Sequence, residues 1–140
     1  MRLLSAHSPT LTALGEARML GGDLRQAREL AQAGFTAADQ NGERGHAAWA
    51  LRLLGEIALR SGRADAERAR EYFVRTLDLA TELDMRPLAA HCQLDLGRTC
   101  ELTGDATNAE ARLQTAARLF REMDMPFWET RSLAELHALR

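Results

Sequence analysis

A spacing constrains this chain more than any single residue does. A Leu-Gly pair stands at Leu14–Gly15, Leu54–Gly55 and Leu96–Gly97, and a second glycine follows each pair's glycine seven residues later, at Gly22, Gly62 and Gly104. The first interval is 40 residues and the second 42, for both sets of glycines. An alanine follows each partner glycine, at five residues for Ala27 and Ala109 and at seven for Ala69. Two extra residues in "GRADAERA" therefore account for the longer interval. A period of this length predicts stacked units of two elements each, because a unit that small cannot bury its apolar face alone.

The elements are helices. Ala, Leu, Arg and Glu dominate, whereas Val and Ile occur once each, which favours helix over sheet. The first helix of each unit is expected near 9–20, 44–61 and 87–103, and the second near 23–40, 64–83 and 105–123. Apolar residues recur at helical spacing along the second helices: Leu24, Ala27, Ala31 and Phe35, then Ala69, Phe73, Leu77 and Ala80, then Ala109, Leu113, Ala116, Ala117 and Phe120. These stripes read as core. Gly21, Asn41, Gly62 and Gly104 are expected to form left-handed turns at helix ends, and Pro87 and Pro126 to mark helix starts. An interior glycine costs a helix about 1 kcal/mol relative to alanine. Gly15, Gly55 and Gly97 are then best explained by a close crossing of the two helices of a hairpin.

The stretch "MDMPFWETRSLAELHALR" begins a fourth unit: Met125 stands 40 residues after Met85 and Leu136 stands 40 after Leu96. His137 replaces the glycine. The reading is an all-α solenoid in one domain over 1–140, with hairpins at 9–41, 44–84 and 87–124 and a terminal helix at 127–139. That helix is expected to cover the end of the stack, while the short segment from Met1 to Ser8 gives the first hairpin no such cover.

Charge and chemistry exclude several functions. Eighteen basic residues, all arginine, are interspersed with twenty acidic ones for a net charge of −2, so no basic stripe for nucleic acid is present. No apolar run reaches the length of a membrane span, and a cytoplasmic chain is expected. A phosphate loop needs a lysine that the chain lacks. Cys92 and Cys100 lie about 12 Å apart along one helix, too far for a disulfide. His91, Cys92, Asp95 and Cys100 form the one cluster to weigh as a metal site or Cys-His dyad. His91 and Asp95 share a helix face, but Cys92 points about 100° away from His91, and no CxxC or HExxH spacing exists. No metal, cofactor or catalytic residue is expected, and a cysteine-dependent enzyme is the most distant reading.

The order Leu-Gly, turn glycine, alanine, then Phe73 or Leu113 four residues on, resembles the tetratricopeptide repeat, a helix-turn-helix unit. Arg18, Gln93 and Ala31 depart from the residue types that family prefers. Longer phrases, among them "ERGHAAWALRLLGEIA", are similar to the C-terminal helical repeats of bacterial multidomain signalling ATPases, class III nucleotide cyclases and transcriptional regulators. The resemblance implies a right-handed α-solenoid, a regulatory or sensing setting, and a concave groove for a protein or peptide. Its groove positions fall on Thr12, Glu16 and Met19; on Trp49, Arg52, Glu56, Leu59 and Arg60; and on His91, Leu94, Arg98 and Glu101, with Asp95 beside them. Trp and Arg anchor interfaces most often, so Trp49, Arg52, Arg60 and Arg98 lead this set. Ion-paired arginines and a Trp49 packed between repeats are the plainer alternative. Thr12 and Glu16 stand where a carboxylate-binding clamp would need Lys and Asn, which makes that ligand unexpected. A non-catalytic interaction module is the leading reading, and self-association through the first hairpin is the alternative.

Overall fold

A computed structural model describes residues 7–139, and Met1–Ala6, on which part of the expectation for the first hairpin's end falls, lie outside it. Seven α-helices are present among the described residues: α1 (Ser8–Leu20), α2 (Leu24–Gln40), α3 (Arg44–Arg60), α4 (Ala66–Glu82), α5 (Arg86–Leu102), α6 (Ala106–Glu122) and α7 (Pro126–Ala138). Each packs on the next in sequence, giving an α-solenoid of helical hairpins. The first helices also touch one another, α1 on α3 and α3 on α5, more closely than the second helices do. The stack therefore curves, with α1, α3, α5 and α7 on its inner side.

The core runs between units. Met19, Ala27 and Ala31 of the first hairpin meet Leu53, Leu54 and Ile57 of α3. Ala58, Ala69 and Phe73 meet Leu96 of α5. Leu94, Leu113 and Phe120 meet Leu136 of α7. Each hairpin so completes its neighbour's burial, as stacked repeats require.

The interior glycines sit at helix crossings. A Cβ on Gly55 would lie 2.6 Å from the Phe73 ring, and one on Gly97 would lie 2.7 Å from a methyl group of Leu113. In the first hairpin Ala31 replaces the large residue, and the backbones close in instead: a Cβ on Gly15 would stand 3.2 Å from the Ala27 carbonyl oxygen and the Ala31 nitrogen. Gly34 adds a crossing that the repeat did not reveal, with its Cβ position 2.6 Å from Thr12 Oγ1.

The turns differ in detail from expectation. Gly21 and Asn41 keep negative φ, and the left-handed residue is the next one, Gly22 or Gly42. Between later hairpins that place is held by Asp84 and Asp124, both at φ 57°. Aspartate tolerates this region better than most side chains, which is why no glycine marked these two turns. The turns after α1, α2, α4, α5 and α6 close with a backbone bond spanning six residues, as from Asp105 N–H to the Cys100 carbonyl at 2.8 Å. The α3–α4 connection lacks that bond and takes a single 3₁₀ turn at Arg63–Asp65.

Candidate binding groove

Repeat register decides which side chains reach the inner row. Pro9, Trp49, His91 and Arg131 occupy one position; Ala13, Leu53, Asp95 and Glu135 occupy a second; Glu16, Glu56 and Arg98 share a third. The structure places three of the aligned groove residues elsewhere. Met19 and Leu94 are buried core residues at 2% and 1% exposure. Leu59 is half-buried against the Ala69–Phe73 cluster. Each turns toward a neighbouring helix, so hydrophobic burial takes it out of the groove.

Towards the C-terminal end, charged side chains satisfy one another. Arg52 of α3 donates to Asp95 of α5 at 2.8 Å and lies 3.9 Å from Glu56. Arg98 stands 3.8 Å from Asp95 and forks onto Glu135 of α7, with bonds of 2.6 and 2.9 Å to Oε2. Burial pushes the Asp95 carboxyl above the ordinary range, and the two guanidiniums oppose that shift. The Arg52 guanidinium is held fully charged against its own burial by Asp95 and Glu56. Arg52 and Arg98 thus bridge successive inner helices. Glu135 was not among the expected site residues, although its spacing of 40 from Asp95 marks it.

His91 is walled by aromatic rings. Its centroid lies 5.0 Å from Phe120 and 4.6 Å from Trp128, both edge-on. Its Nδ1 is buried with no hydrogen-bond partner, and burial together with Arg52 and Arg98 pushes its pKa down to about 4. It is not arranged to hold a metal. Cys92 packs with Ala48, Ala80 and Leu88, and burial pushes its thiol well up, away from the thiolate that nucleophilic or metal chemistry needs. Cys100 is half-buried. Among the described residues no group of three or more His, Cys, Asp or Glu is placed to hold a metal ion.

Towards the N-terminal end the row is open. Pro9, Thr12, Ala13 and Glu16 of the α1 side face His46, Trp49, Arg52, Leu53 and Glu56 of α3 across a pocket of about 270 Å³. Trp49 is 42% exposed there. Glu16 is exposed, and the Glu56 side chain is 24% exposed. Burial raises the Glu56 carboxyl, with Asp95 and Glu16 adding to the rise while Arg52 and Arg60 oppose it. Arg60 is exposed beyond the pocket, and Glu101 is exposed on α5 with its carboxyl raised by burial and by Glu135.

No family model matches the chain, and no curated protein matches it. Solved structures do match it. The crystal structure of the apo form of RapI superposes on 94% of this chain with a TM-score of 0.85 at 16% sequence identity. The chain spans 47% of that protein's length. The likeness shows the fold, a helical-repeat solenoid. No helix among the described residues is long and apolar enough to cross a membrane.

Proposed function

We propose that this chain is a non-catalytic docking module that holds a protein or peptide segment at the N-terminal end of its inner row. One observation carries the reading: Trp49 is 42% exposed in an open pocket, whereas the residue at its repeat position in the next unit, His91, is half-buried and packed edge-on against Phe120 and Trp128. An exposed tryptophan in a concavity is the residue type that most often anchors an interface. Arg52 and Arg98, expected as anchors, serve the reading indirectly by fixing α3 to α5 and α5 to α7. Resemblance to bacterial regulator repeats supports a regulatory or sensing role within such a protein. Docking is tested by affinity capture from source cells with the native chain, Trp49→Ala and Ala13→Arg, each variant first shown to keep its helical content and melting temperature. A partner kept by the native chain and lost from both variants is the expected result. The same partner retained by both variants would move the docking site off this pocket.

Self-association is a second reading, favoured by Leu14 and Leu20 at 47% and 67% exposure on α1. The residues at the place of Leu14 in later units, Leu54 and Leu96, are 3% and 2% exposed. A sedimentation mass that rises with concentration, and returns to one chain in Leu14→Glu, would establish it.

A further inference from the structure

We propose that the α1–α3 pocket receives a cationic side chain of the docked segment, a guanidinium or ammonium group set against the Trp49 ring and between the carboxylates of Glu16 and Glu56. This rests on the docking reading and specifies the chemistry of what docks.

Charge balance along the inner row is the main argument. From α3 to α7 the charged groups alternate as Glu56, Arg52, Asp95, Arg98, Glu135, so a carboxylate stands at each end. The far end is answered by Arg131, 3.9 Å from Glu135. At the near end Arg52 makes its short bond to Asp95 and leaves Glu56 at 3.9 Å, and across the pocket Glu16 adds a second negative charge. Arg60 lies a turn beyond Glu56 and is not part of the pocket wall. An incoming cation would offset that surplus in a partly desolvated site, where Coulomb attraction exceeds its value in water.

The walls suit the rest of such a side chain. Pro9, Ala13 and Leu53 line the pocket beside the Trp49 face. A tryptophan face is the most favourable ring for a cation, and apolar walls accommodate the methylene stem of Arg or Lys. An anionic group would meet Glu16 and Glu56 at close range. An apolar group would leave Glu56 with only Arg52, at 3.9 Å and bonded more closely to Asp95.

The test uses the full chain and two small probes, N-acetyl-arginine amide and its uncharged isostere N-acetyl-citrulline amide. Binding is followed by the indole N–H resonances of Trp49 and Trp128. The arginine probe is expected to move the Trp49 resonance saturably, at a half-saturating concentration at least about tenfold below that of citrulline, equivalent to about 1.4 kcal/mol. Trp128, packed on His91 and Phe120, is expected to stay in place. Glu16→Gln, at an exposed position, is expected to shrink the preference, and Glu16→Gln with Glu56→Gln to abolish it. Equal response to both probes, a preference unchanged in Glu16→Gln and in the double variant, or no movement of Trp49 at about 10 mM probe would overturn the proposal. A captured partner lost on Trp49→Ala with no arginine preference leaves the docking reading standing and removes this one. An arginine preference with a partner indifferent to Trp49 does the reverse.

Discussion

Trp49 and His91 hold the same repeat position on successive inner helices and meet opposite surroundings. Trp49 looks across an open pocket at α1, while His91 is half-buried against Phe120 of α6 and Trp128 of α7. Their charged neighbours differ in the same sense. The place of Glu16 and Glu56 becomes Arg98 in the third unit, which reaches forward to Glu135 and closes α5 onto α7. Leu53 of α3 stands at the place of Glu135 and offers no such partner to Glu16 of α1. Register thus decides where a side chain points, and the residue facing it on the next helix decides whether it serves the fold or faces a ligand.

The hardest blow to that contrast is Asp95→Ala. It leaves Arg52 buried without its 2.8 Å partner, and removing one member of a buried pair costs about 3–5 kcal/mol. The urea midpoint should fall accordingly; a change below about 1 kcal/mol would mean that the pair does not hold the closed half. The buried pair is not offered as a net source of stability, since a well-packed apolar replacement of both partners often does as well. Its contribution is alignment.

Gly55→Leu attacks the open half from behind, through the crossing that positions α3. The Phe73 ring stands 2.6 Å from the position of a Cβ and is fully buried, so it has little room to move. Overpacking of this kind costs roughly 1–3 kcal/mol, read as a lower melting temperature. An unchanged value would refute the account of the interior glycines.

A third prediction, read as a slope and not as a midpoint shift, sharpens the comparison by pH. The His91 pKa is about 4 in the fold against an ordinary value of 6.5, so between these values the unfolded chain binds more protons and stability falls as pH falls. His91→Phe removes that share and flattens the denaturation profile between pH 6.5 and 4. A slope unchanged by the substitution would show that His91 does not carry it.

Much of the fold was legible because glycine, alanine and the large apolar residues recur at fixed offsets. That order set Gly55 and Gly97 at the crossings of their hairpins, and the structure shows Phe73 and Leu113 filling them. The inner row was less legible. A groove alignment assigns positions by helix face, yet Met19 and Leu94 turn far enough toward their neighbours to be buried. Asp95 sits where other units carry Ala13 and Leu53, and nothing local announces that Arg52, 43 residues earlier, meets it there. Trp128 escaped notice because its role depends on α7 folding back over His91, a contact between units with no motif of its own.

The two residues added in the second unit leave α3 and α4 at 17 residues each, the same as α5 and α6, because the 3₁₀ turn at Arg63–Asp65 absorbs them. Hairpin tips of this kind behave as expansion joints. A fluorophore, an affinity tag or a short foreign loop placed between Gly62 and Ala66 would change the rim of the second unit and leave the lining of the inner row untouched. The joint is also where one unit of such an array can lengthen by drift without disturbing its neighbours.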